Sequence, residues 1–255
     1  MTFTVASMLV ALALAAAPLD ASHGAVLRVL QHDADAGACD AGALRDIAAS
    51  TNVTALGRIA GGDPVVLAEV HASCICGAQN CPFYAIRITP RGPRVLFQTY
   101  GIGARLVRRG GSLPDVVVGE HDSVAVIDET RYAYRDGTYA IASSERVRAD
   151  TGARKPDSVA VRFAAGASSA PLRGRVSTGW YDAYTFAAER GQRVTIAGMR
   201  TTAPVTVTLF GPHDGDVHPL HAGTAFVLPA SGRYLIHVDA ENDADTAYAL
   251  TLAIK

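Results

Sequence analysis

Apolar and polar residues alternate with a period of two along much of this chain. "FYAIRI" (83–88) and "RYAYRDGTYAI" (131–141) show it most clearly. Such a period sends successive side chains to opposite faces of a strand, so these segments predict half-buried β-structure. "VTALGRIA", "PVVLAEVHAS", "RVLFQTY" and "DVVVGEHDSVAVIDE" continue the pattern, rich in Val, Ile, Tyr and Phe and punctuated by Gly, Pro, Asn and Asp. The Asp-Gly pair at 136–137, between Tyr134 and Tyr139, predicts a hairpin turn. "CDAGALRDIAAS" (39–50) predicts one short helix, whereas residues 22–38 carry little periodicity and are expected to be a leader into the first domain.

The second half is more regular. Seven strand-like segments run from "PLRGRVS" to "YALTLAIK", separated by the turn signals "ERGQ", "PHDGD", "ASGR" and "ENDAD". That spacing predicts an antiparallel β-sandwich with Greek-key or jelly-roll connections. Alternation places Tyr184, Phe186, Val194, Ile196, Val205, Val207, Leu209, Phe226, Leu228, Tyr234, Ile236, Val238, Tyr248, Leu250 and Leu252 inside it. The polar stretch 148–158 is expected to be a linker. The whole chain is therefore expected to be mainly β: a small β-rich, cysteine-containing domain over 22–147 and a sandwich over 159–255.

Composition adds a compartment. The apolar run Leu9–Ala17, followed by small residues, predicts a signal peptide over 1–21 and hence a periplasmic or secreted protein. The run is shorter than the about 20 residues a membrane span needs. After it no apolar run is long enough to span. In an oxidising compartment Cys39, Cys74, Cys76 and Cys81 are expected to form disulfides. Of the three pairings, Cys76–Cys81 with Cys39–Cys74 is preferred, because the first closes a small loop and the second ties the N-terminal segment to it. A net charge of −1, with acids and bases mixed along the chain, gives no basic block for nucleic acid or an anionic membrane.

Several stretches carry residue types used in chemistry. "PHDGDVHPLH" (212–221) gathers His213, Asp214, Asp216, His218 and His221. Zinc takes three or four such ligands at about 2.0–2.3 Å, but the stretch joins two strands and contains a turn dipeptide, so a solvated loop without metal is expected. "CICGAQNC" has C-x-C-x4-C spacing, which favours disulfides over a redox C-x-x-C. In "GEHDSVA", Glu120, His121, Asp122 and Ser123 lie on one strand, which sends them to alternating faces, whereas a triad needs convergence from separate segments.

The second half also carries a resemblance. Phe163–Gly166 leading into Gly174, the aromatic strand around Tyr184, the turn at Gly191–Gln192, "FVLPASGRYLIHV" and "AYALTLAI" resemble bacterial inhibitors of g-type lysozyme and, more loosely, the bacterial pre-peptidase C-terminal domain. In the inhibitors the segment before the closing strand is often basic; here "DAENDADTA" (239–247) is acidic. "CICGAQNCPFYAIRI" and the 113–139 region resemble an exported bacterial module of no settled function. The resemblance implies a non-enzymatic binding protein without cofactor. Its loops at 177–181, 211–223 and 239–247 would occlude the cleft of a lysozyme-like hydrolase. Trp180 and Tyr181 are the expected aromatic anchors, with His213, Asp214, His218, Asp239, Glu241 and Asp243 the expected polar contacts. The rival readings are a cell-envelope accessory or carbohydrate-binding module and, further off, a metal-dependent enzyme.

Overall fold

The computed structural model describes residues 20–59, 62–108, 110, 112–213 and 215–255. Apart from Asp20 and Ala21, the expected signal segment lies outside them, as does Asp214. The chain divides into two compact units, residues 1–76 with 81–98 and residues 77–80 with 99–255.

The first unit opens with α1 (Ala21–Leu30), a 3-10 turn (Asp35–Ala38) and α2 (Ala41–Ser50). The helix α1 replaces the leader expected over 22–38. Its intrinsic propensity is weakened by Gly24 and by β-branched Val26 and Val29, so its apolar spacing is visible only once packing is known. Asp20 caps it, accepting the Ser22 and His23 amides at 2.9 Å, and Ala25, Val26, Val29 and Leu30 are buried. Asp40 caps α2 through the Ala43 amide at 2.7 Å, as an N-cap aspartate should. Four strands follow: β1 (Asn52–Arg58), β2 (Pro64–Glu69), β3 (Cys81–Thr89) and β4 (Gly92–Gly101), paired in that order. Both helices pack on this sheet against Val66, Ala68, Tyr84 and Ile86. Cys39 is bonded to Cys74 and Cys76 to Cys81, the pairing the spacing favoured.

The second unit has two parts. An antiparallel sheet comprises β5 (Gly103–Val107), β6 (Asp115–His121), β7 (Val126–Arg135), β8 (Thr138–Arg148) and β9 (Arg154–Pro156), in sequential order. The β7–β8 hairpin turns at Asp136 and Gly137, with φ of 50° and 85°, and Tyr134 pairs with Tyr139. The stretch 148–158, expected as a linker, thus supplies the edge strand β9. Its polar residues pair with β8 at the sheet margin, which is why no apolar pattern marks them.

The remaining strands are β10 (Val159–Ala160), β11 (Ser169–Val176), β12 (Asp182–Ala188), β13 (Arg193–Thr201), β14 (Val205–Phe210), β15 (Val217–Pro219), β16 (Ala225–Val227), β17 (Gly232–Ala240) and β18 (Thr246–Ile254). They form two layers, β10-β12-β17-β14-β15 and β11-β18-β13-β16, the sandwich that the alternation predicted. One apolar cluster fills the space between them and includes every inward position expected above, with Phe226 partly buried. Within this core Tyr184 and Tyr248 share a hydrogen bond at 2.6 Å, and the Tyr248 hydroxyl donates to Asp182 at 2.7 Å. Gly174 makes room for that chain: a Cβ there would lie 1.9 Å from Asp182 Oδ2.

Candidate functional site

Strand register settles which loops share an end of the sandwich. Asp182 pairs with Val238 and Val205 with Ala240, so loops 177–181, 202–204 and 241–245 lie together. Ala188 pairs with Gly232 and Phe210 with Leu235, which places 189–192, 211–213 and 228–231 at the opposite end. The three loops expected to converge therefore do not. Trp180, Tyr181, Asp239, Glu241 and Asp243 belong to one end, and His213 to the other.

The histidine-rich connection is also more ordered than a solvated loop. Val217–Pro219 forms the edge strand β15 on β14. His218 pairs with Leu209, which is fully buried, so its ring is directed inward and packs on Phe226 at 4.5 Å between centroids. The imidazole closes the open margin of the core instead of facing a partner. His213 and His221 are exposed. Among the described residues no group of three His, Cys, Asp or Glu side chains is arranged to hold a metal.

Loop 177–181 is engaged from within. Glu120, Asp128, Arg146 and Lys155 are direct cross-strand neighbours on β6, β7, β8 and β9, so one face of that sheet carries two acids followed by two bases. Arg146 is fully buried. Its guanidinium lies 3.6 Å from the centroid of the Tyr181 ring, donates to the Tyr181 carbonyl at 2.9 Å and donates to the Asp157 carbonyl. The other face of Tyr181 stacks on His237 at 4.3 Å. Lys155 donates to the Trp180 carbonyl at 3.2 Å, pairs with Asp182 at 2.8 Å and sits 4.4 Å from the Trp180 ring. Trp180 and Tyr181 therefore anchor the five-stranded sheet to the sandwich, where the sequence suggested anchors for a partner. Cation–π contacts of this kind strengthen when desolvated.

Burial shapes the titration of this junction. Asp128 is pushed up to about 6, chiefly by desolvation and then by Asp122, with Arg146 opposing. His237 is pushed down to about 4 by desolvation and by the Arg146 charge. Burial also lowers Lys155, against the pull of Asp182, and raises Asp239. The buried atoms without a hydrogen-bond partner among the described residues, His121 Nδ1, Ser123 Oγ, Asp128 Oδ1 and Arg146 Nε, all belong to strands β6–β8 or the β6–β7 turn. Nothing in the sequence singled out Arg146, Asp128 or His237. Their signal is the cross-strand register, which depends on a pairing the sequence does not print.

What stays open at this end is the acidic connection 241–245. Glu241 and Asp243 are exposed, and Asp245 pairs with Arg175 at 2.8 Å.

Three solved structures similar to this chain are periplasmic inhibitors of g-type lysozyme. A PliG mutant from Escherichia coli is 30% identical over 38% of this chain and 97% of its own, with a TM-score of 0.34. PliG from Salmonella Typhimurium is 27% identical over 40% of this chain and 100% of its own, with a TM-score of 0.35. PliG from Aeromonas hydrophila is 28% identical over 38% and 96%, with a TM-score of 0.34. No family model and no curated protein matches the chain. Among the described residues no helix is long and apolar enough to cross a membrane.

Proposed function

We propose that this chain is an exported, non-enzymatic binding protein whose sandwich inhibits a lysozyme-like peptidoglycan hydrolase by steric occlusion. The observation that carries the reading is the run of residues that resembles the inhibitors. Gly174, Tyr184, Gly191, Gly232, Tyr234 and Tyr248 all fall within one sandwich and do structural work there. The occluding element is the acidic connection 241–245, with 202–204 beside it. The Glu241 amide donates to the Pro204 carbonyl at 3.2 Å, which ties the two together. Lysozymes are commonly cationic, and exposed carboxylates at a protruding loop favour encounter with such a partner. Loop 177–181 contributes from behind, as the support that Arg146 and Lys155 hold in place.

The test is titration calorimetry of the purified chain with a g-type lysozyme. Wild-type protein is expected to bind, and Glu241→Lys with Asp243→Lys to weaken binding at least tenfold, mainly through slower association. A double variant that binds as wild type would remove the acidic loop from the interface.

A further inference from the structure

The outer face of the layer β11-β18-β13-β16 has an unusual charge pattern. None of its four strands contains Asp or Glu. Arg173 and Arg200 both pair with Ala249, one from each side, so their side chains flank it on the same outward face. Arg193 and Lys255 lie directly opposite each other, exchanging backbone hydrogen bonds at 2.7 and 3.0 Å. Like charges facing across strands destabilise a sheet, so the chain keeps this pair at a cost. All four cations are exposed, and none has a carboxylate partner among the described residues. Arg162, Arg190 and Arg233 of the second unit are likewise exposed with no carboxylate partner among the described residues; what sets Arg173, Arg193, Arg200 and Lys255 apart is that they share one sheet face whose strands carry no acid.

Between the two cation pairs the floor is small: Ala249, Thr251, Ala253, Thr195 and Ala197. At about 3.4 Å per residue, the six steps from Ala249 to Lys255 span about 20 Å, and two strand spacings separate Arg173 from Arg200 by about 10 Å. The result is a strip with cations at both ends and a floor of small residues, interrupted on β13 by an irregularity between Ala197 and Arg200 where Met199 is exposed. The layer's other side is the core, and the opposite outer face of the sandwich is the one engaged through His237 and Tyr181.

We infer that this strip binds an extended anionic polysaccharide, its carboxylate or phosphate groups meeting Arg173 and Arg200 at one end and Arg193 and Lys255 at the other. Charge complementarity selects an anion. The Ala/Thr floor lets a sugar chain approach the sheet closely. A bilayer would instead be met by protruding aromatic or large apolar side chains beside the cations, and a single-stranded nucleic acid by aromatic stacking platforms. The floor carries no aromatic side chain, and the exposed apolar side chains beside the cations are two, Val227 opposite Arg193 and Met199 next to Arg200, so the vesicle arm of the experiment decides against a bilayer. The inference stands apart from the inhibitor reading, since either property can fail without the other.

The experiment uses the full chain with polygalacturonate, neutral dextran and vesicles of phosphatidylglycerol with phosphatidylcholine as probes. Binding to polygalacturonate but not dextran is expected, weakening as salt rises from about 0.05 to about 0.2 M. Arg173→Ser with Arg200→Ser, and separately Arg193→Ser, should weaken it about tenfold and lower the salt slope by about 1 per cation removed. Thermal unfolding should be unchanged in Arg173→Ser with Arg200→Ser and slightly raised in Arg193→Ser, which removes the like-charge pair, and Arg94→Ser on β4 should bind as wild type. Equal retention by dextran, binding to vesicles alone, variants that bind as wild type, or no binding would each overturn the proposal.

Discussion

Gly174 shows how much one missing side chain does. Its hydrogen sits where a methyl would meet the Asp182 carboxylate and the Tyr248 ring and hydroxyl. Burial, then the hydrogen bonds that Tyr248 shares with Tyr184 and donates to Asp182, hold the Tyr248 phenol well above its usual pKa, so the phenol stays neutral inside the core. Gly174→Ala should destabilise the second unit by about 2–3 kcal/mol through overpacking, read from urea unfolding with unchanged m. A second prediction concerns the junction. Asp128 has a folded pKa raised from 3.8 to about 6, so its contribution is present at low pH and is lost as pH rises through about 6. His237 has a folded pKa lowered from 6.5 to about 4, so its contribution is present above 6.5 and is lost as pH falls through about 4. Between these limits the two contributions oppose each other. In Asp128→Asn stability should rise with pH from about 4 to about 6.5. In His237→Gln it should fall over the Asp128 window. Matched profiles for wild type and both variants would contradict the assignment.

At the scale of elements, the clearest expectation is at β15. His218 is directed toward Phe226 from an edge strand, while His213 is exposed in the preceding turn. His218→Ala should cost about 1 kcal/mol of stability, and His213→Ala should stay within about 0.5 kcal/mol, measured by thermal unfolding. The sandwich strands were legible because one face of each is buried and the other wet, so hydrophobicity reports register directly. Tyr184, Phe186 and Ile236 are such positions. The helix α1 was not legible, because Gly24 and the branched valines mask it and its cap, Asp20, falls inside the expected export signal. The site was legible only in part. Trp180 and Tyr181 stood out by type, but their partners Arg146, Lys155 and His237 come from strands far along the chain. Which end of the sandwich a loop joins is fixed by pairing, which the sequence does not print; His213 therefore lies at the end opposite Trp180 and Glu241 although all three are loop residues.

At the scale of the whole chain, two disulfides hold the first unit, Cys39–Cys74 across 35 residues and Cys76–Cys81 across five, and a network of buried charge joins the two parts of the second. Within the second unit the 241–245 connection is exposed, and a loop held in its bound conformation binds with little ordering cost. Inhibition of a hydrolase is put to the test by adding purified protein to a g-type lysozyme acting on peptidoglycan. Lytic activity should fall in proportion to added protein and be lost near equimolar ratio at micromolar concentrations. Full activity in the presence of excess folded protein would contradict it.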